Sequence, residues 1–142
     1  MAKVFWDTNL FIYLFEGAGP AAEQTLDLWK RMLARGDRLY TSALSVGEVL
    51  VKPAREELKE LEQRYLLLFQ SSRITVVPFD LEAAPHYAVV RSDRSIRPPD
   101  AIQLACAAAA EVDLFITNDD RLSRKRISRI KFITSLARTP IV

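Results

Sequence analysis

Histidine and cysteine each occur once in this 142-residue chain, as His86 and Cys106. Zinc sites draw their ligands mainly from His and Cys, so no structural zinc site can form from these alone. A nuclease built on two histidines is excluded, and a serine or cysteine triad would have to use His86. A single cysteine cannot form an intrachain disulfide, which fits a reducing, cytoplasmic setting. No unbroken apolar run approaches the roughly 20 residues of a membrane span. The start, Met-Ala-Lys-Val-Phe-Trp-Asp, has no signal-peptide pattern. Acidic residues are missing from one stretch altogether. Residues 121–142 carry seven Lys or Arg and no Asp or Glu, although the net charge of the whole chain is only +2. Such asymmetry points toward a polyanion or a solvated basic face.

What is present reads as one α/β domain spanning residues 1–142. The sequence is 49% hydrophobic and 27% charged, within the globular range, and it has no internal repeat. Strands are expected at Val4–Trp6, Leu39–Ser42, Ile74–Val77, Asp113–Thr117 and Ile130–Thr134. Helices are expected after Asp7, over 21–35 up to Gly36, around Glu48 as far as Pro53, over 54–71, over 80–91 and over 100–110. The strands are continuous apolar runs alternating with helices. That pattern predicts an α/β/α sandwich with a parallel sheet of about five strands.

Gly17-Ala-Gly-Pro-Ala-Ala22 satisfies a dinucleotide-binding pattern but lacks its context. Pro20 removes a backbone N–H from the loop that would cradle a pyrophosphate, and Asp37 precedes the second strand rather than ending it. The stretch reads as a turn between helices.

With histidine scarce, polar chemistry falls to carboxylates. Asp7 ends the first strand, and Asp119 and Asp120 follow the fourth. Ligands of open parallel sheets bind beyond these carboxyl ends. Asp100 follows Pro98-Pro99 in the first turn of its helix, and Glu48 stands among Val46, Val49 and Leu50. Each acid could instead be a cap, a loop acid or a surface residue. Taken together they favour an oxygen-ligated Mg²⁺ or Mn²⁺ site.

The same residues carry a resemblance. Asp7-Thr8-Asn9, Ser45-Val-Gly-Glu48-Val-Leu50, Arg97-Pro-Pro-Asp100-Ala-Ile-Gln-Leu-Ala105 and Phe115-Ile-Thr-Asn-Asp119 resemble, in order, the four motifs of the PIN domain. Size and motif set look most like the VapC-type toxins of toxin–antitoxin pairs. The resemblance implies a metal-dependent endoribonuclease that leaves 5′-phosphate and 3′-hydroxyl ends. It also implies a homodimer held inactive by a small antitoxin. It assigns the ions to Asp7, Glu48, Asp100 and Asp119, with Asp119 preferred over Asp120. Thr8, Asn9 and Asn118 become candidates for orienting the acids, and Arg94, Arg97, Arg121 and Arg124 for holding RNA phosphates. Two other readings use the same residues: a carboxylate-based phosphatase or phosphotransferase, and a non-catalytic RNA-binding module.

Overall fold

The computed structural model describes residues 1–141. Its elements, in chain order, are β1 (Lys3–Trp6), α1 (Thr8–Glu16), α2 (Pro20–Arg35), β2 (Arg38–Ser42), α3 (Ala43–Arg55), α4 (Lys59–Phe69), β3 (Ile74–Val77), α5 (Ala84–Val90), α6 (Pro98–Ala109), β4 (Leu114–Thr117) and β5 (Phe132–Ser135), with short 3₁₀ turns at Leu122–Arg124 and Leu136–Arg138. The five strands form one sheet of order β3-β2-β1-β4-β5, and every pairing is parallel. None of the described helices is long and apolar enough to cross a membrane.

Alternate side chains of the strands feed two cores. Val4, Trp6, Leu39, Ile74, Leu114 and Ile116 pack on one face, with Leu10, Phe11, Leu28, Met32, Tyr65 and Phe69 from α1, α2 and α4. Phe5, Tyr40 and Phe115 lie on the other face beneath α5 and α6. There the Phe5 and Phe115 rings stack at 4.9 Å. Alanine lets α6 come close: Ala101, Ala105, Cys106 and Ala107 are wholly buried, and bulkier residues would hold the helix off the sheet.

Several boundaries differ from expectation. Helix α3 runs past Pro53 to Arg55, because a proline in the last turn forfeits only one hydrogen bond. The helix expected over 54–71 therefore shrinks to Lys59–Phe69, after a reversal at Glu57, whose φ is +56°. Residues 80–83 form a turn rather than helix, since the Asp80 carboxylate accepts the N–H groups of Glu82 and Ala83. The last strand starts two residues late because 127–130 turn first, with Arg129 in the left-handed region at φ +73°. Helix α2 ends at Gly36, whose left-handed φ of +75° suits a residue without a side chain. The stretch 17–19 joins α1 to α2, as a turn should. Helix α1 is enclosed on most sides. Leu10 and Phe11 are fully buried, and Tyr13, Leu14 and Phe15 pack against the same core.

Candidate active site

The strand order reverses at β1, so the crevice between β1 and β4 is where a ligand of an open parallel sheet is expected. Trp6 pairs with Ile116, which sets Asp7 beside Thr117 at the carboxyl edge. The Asp7 N–H continues the ladder to the Ile116 carbonyl at 3.0 Å. Both Asp7 oxygens accept a hydrogen bond, Oδ1 from the Thr8 N–H and Oδ2 from the Thr117 hydroxyl, each at 2.8 Å. Thr117 Oγ1 also receives the Asp119 N–H at 3.1 Å, so one buried threonine anchors both acids.

The other acids arrive from two helices and a loop. Asp100 projects from the first turn of α6, partly buried, with Arg97 Nε 3.7 Å from its Oδ2. No hydrogen-bond donor among the described residues satisfies its carboxylate. Glu48 lies on α3, and its Oε1 accepts the Thr8 hydroxyl at 2.6 Å. Asp119 Oδ1 accepts the backbone N–H groups of Arg121 and Leu122 at 2.9 and 3.3 Å, capping the short turn beyond it.

On Asp7 and Asp100, burial and the charge of neighbouring acids act in the same direction. Asp7 is held above the ordinary carboxylate value, first by burial, against the bonds from Thr117 and Thr8, with the charges of Asp100 and Glu48 adding to the rise. Asp100 is also raised, again chiefly by burial. Arg97 opposes that rise, while Asp119 and Glu48 add to it. Asp7 and Asp100 each feel two other acids, and Asp100 links Asp119 to the group, which identifies one electrostatic cluster.

Sequence reasoning missed the scaffold beneath the cluster. Gln103, one turn along α6 from Asp100, is 2% exposed. Its Nε2 donates to Ser45 Oγ at 2.7 Å and to Thr8 Oγ1 at 3.0 Å, and its Oε1 accepts the Ser42 hydroxyl at 2.6 Å. Ser42 Oγ in turn accepts the Ser45 N–H at 3.2 Å. An amide has two donors and one carbonyl, so these contacts fix its orientation. With Gln103 donating to both hydroxyls, Thr8 is free to donate to Glu48 and Ser45 to Thr8, 3.0 Å away. The hydrogen bonds thus run in one direction and end on the Glu48 carboxylate. The signal was present in the sequence as a glutamine on an alanine-rich helix face, which must find partners to be buried.

The other candidates fall elsewhere. Asn9 is exposed. Asn118 donates to the Tyr13 hydroxyl at 2.8 Å and makes no hydrogen bond to an acid among the described residues. Arg94, Arg97, Arg121 and Arg124 are exposed, and Arg121 Nε lies 3.8 Å from Asp119 Oδ1. Asp120 is exposed, one residue beyond Asp119. His86 lies on α5, in a cavity with Asp93 and Lys125 rather than with the acids.

Among the described residues, no three acidic, histidine or cysteine side chains are already gathered to hold one ion together. The donor chemistry nevertheless fits a hard cation. All four groups are carboxylates, Asp100 has no hydrogen-bond donor, and Glu48 Oε2 takes none. Ions bridged partly through water tolerate such spacing, as Mg²⁺ commonly keeps several waters.

A parallel α/β domain with a carboxylate cluster beyond its switch point defines the class. Residues 4–127 match the PIN domain, and the chain belongs to that family. Its fold is similar to a chain of the VapBC2 complex of Rickettsia felis bound to a DNA fragment from its promoter, with a TM-score of 0.73 and 18% identity, covering 94% of this chain and 98% of the other. A chain of the DNA-bound VapBC of Salmonella typhimurium gives a TM-score of 0.68 at 23% identity, over 96% and 99% of the two chains. For VapC20 of Mycobacterium tuberculosis, a sarcin–ricin-loop-cleaving toxin, the values are 0.69 and 16%, over 89% and 98%. No curated protein sequence matches the chain.

Proposed function

We propose that this chain is a divalent-metal-dependent endoribonuclease and the toxin of a toxin–antitoxin pair. The observation that carries the reading is the cluster of Asp7, Glu48, Asp100 and Asp119 beyond the β1–β4 switch point. Membership of the PIN family and likeness in fold to VapC proteins support it.

Asp7 and Asp100 are assigned as direct ligands of Mg²⁺ or Mn²⁺, with Glu48 and Asp119 holding the ions directly or through water. A divalent ion bound there supplies a Lewis acid for the phosphodiester and lowers the pKa of water. The chain's own residues do the positioning. Thr117 and the Thr8 N–H hold the Asp7 carboxylate in place, and Thr8 holds Glu48. Arg94, Arg97, Arg121 and Arg124 place cations around the acids to receive RNA phosphates. A homodimer, a small antitoxin partner and products with 5′-phosphate and 3′-hydroxyl ends complete the reading.

Incubation of purified protein with RNA, in Mg²⁺, Mn²⁺ or EDTA, tests this. Cleavage confined to the metal-containing reactions supports the nuclease. Phosphate release from small esters without RNA cleavage would favour a phosphatase. RNA binding without turnover in either metal would favour a binding module.

A further inference from the structure

Downstream of Asp119 the chain crosses from the carboxyl end of β4 to the amino end of β5 with only the three-residue 3₁₀ turn Leu122–Arg124 between them. Three cations tie this crossover to the body of the domain. Lys125 pairs with Asp93, Arg129 with Glu111 and Lys131 with Asp113, each at 2.8 Å. Arg124 and Arg126 are both exposed and have no ion pair among the described residues. They line a cleft of about 440 Å³ together with Lys131, Ile133 and Phe132. Phe132 is 69% exposed, at the start of the edge strand β5. The crossover is thus fastened by some of its cations and presents the others beside an exposed aromatic ring.

From this we infer that the cleft between the 121–131 crossover and β5 is a binding site for single-stranded RNA, in which Arg126 takes a phosphate and Phe132 stacks on a base. The inference rests on the nuclease reading and extends it to a second contact region. Free guanidiniums and an exposed aromatic on one groove are the elements by which proteins hold single strands without reading sequence. Charge favours RNA over an acidic partner protein only through spacing: phosphates recur along a strand, and Arg124 lies between the Asp119 turn and Arg126. The four residues of β5 span about 13 Å at about 3.3 Å each, so the cleft extends the path of a strand away from the acids.

Fluorescence anisotropy with a labelled, unstructured 12-nucleotide RNA in EDTA tests the site without cleavage. Phe132→Ala should weaken binding about tenfold, within the range of about 5- to 150-fold that loss of one stacked base implies. Phe132→Trp should restore it. Arg126→Ala should lower the magnitude of the log–log salt slope by about 0.7, the value for one phosphate on a single strand. Wild type, Phe132→Ala and Arg126→Ala binding the RNA equally, with equal slopes, would overturn this inference and leave the nuclease reading standing. A wild type that neither binds nor cuts RNA would overturn both. Failure of Phe132→Trp to restore affinity would overturn the stacking role. Loss of binding to a glutamate decapeptide with RNA affinity intact would assign the cleft to an acidic partner instead. All of these residues are exposed, and circular dichroism should show each variant folded.

Discussion

The two edges of the sheet treat their acids in opposite ways. At the amino edge, Asp113 accepts the Lys3 N–H at 2.8 Å and pairs with Lys131, and its carboxyl is held below the ordinary value, chiefly by the Lys131 hydrogen bond. Asp37 accepts the Ala2 N–H at 2.9 Å and pairs with Arg35. These acids tie strand starts together and are answered by cations. At the carboxyl edge, Asp7 and Asp100 are pushed the other way, first by burial and then by the charges of neighbouring acids. Hydrogen bonds orient the Asp7 group, but no lysine pairs with it. Arg97 and Arg121 approach Asp100 and Asp119 only to 3.7 and 3.8 Å, looser than the amino-edge pairs, and on the proposed reading this second set is the one that takes an outside cation.

Breaking the carboxyl edge should give the largest effect. Asp7→Asn and Asp100→Asn keep the shape and remove a ligand charge. Either change should lower RNA cleavage by about a thousandfold or more, because a catalytic ion contributes several kcal/mol of transition-state stabilisation. An Asp113→Asn protein should cut at close to the wild-type rate. Equal loss from Asp100→Asn and Asp113→Asn would erase the distinction between the edges.

Linkage gives the next measurement. Mg²⁺ at a hundred times its dissociation constant should stabilise the wild type by about 2.7 kcal/mol. For a domain of this length that amounts to a rise of about 5–11 °C in melting temperature. Asp100→Asn should lose most of the shift and Asp113→Asn should keep it. A full shift in Asp100→Asn would remove Asp100 from the ligand set.

Gln103 sharpens the comparison, because it supports the carboxyl edge from within. Gln103→Leu keeps the bulk and removes both the donors and the acceptor that order Ser42, Ser45 and Thr8. Loss of such orienting groups typically costs 10–100-fold in metal affinity or activity. The expected pattern is a fall in kcat of about that size, with KM for RNA nearly unchanged. A change in KM alone would make Gln103 part of a binding surface rather than a support for Glu48.

Much of this was legible in the sequence. Asp7, Asp100 and Asp119 at element ends, Glu48 within a helix and almost no histidine pointed to a set of carboxylates, and the structure brings these acids into one electrostatic cluster. Continuous apolar strands alternating with helices predicted the parallel sheet. The support network was not legible, because Gln103 and Thr117 matter through partners 61 and 110 residues away in sequence. Boundaries failed where a side chain competed with the helix, as at Asp80, or where a non-glycine residue took a left-handed turn, as at Glu57 and Arg129. Pattern and propensity carry no term for such local competition.

The smallest effect is also the most direct test of the two edges, since it predicts opposite signs in the absence of metal. Asp7 and Asp100 titrate above their unfolded value of about 3.9. Their protonated forms favour the folded state. Stability from this source is present below that value and is lost as pH rises through the raised folded pKa. Asp113 is lowered, so its contribution is present above its unfolded value and is lost as pH falls through the lowered folded pKa. In EDTA at neutral pH, Asp7→Asn or Asp100→Asn should therefore raise the melting temperature. Asp113→Asn should lower stability by about 1 kcal/mol, the scale of a partly exposed, charge-assisted contact. Asparagine has one carbonyl, so the Asp7 variant keeps the bond from the Thr8 N–H at that oxygen while its amide must donate to Thr117 Oγ1, and the repulsion from Asp100 and Glu48 is lost. Melting curves in EDTA at pH 4, 5.5 and 7 separate the two cases. The advantage of the Asp7 variant over wild type should grow from pH 4 to pH 7, and so should the deficit of the Asp113 variant. An Asp7 variant less stable than wild type at pH 7 without metal would place Asp7 with the structural acids of the opposite edge.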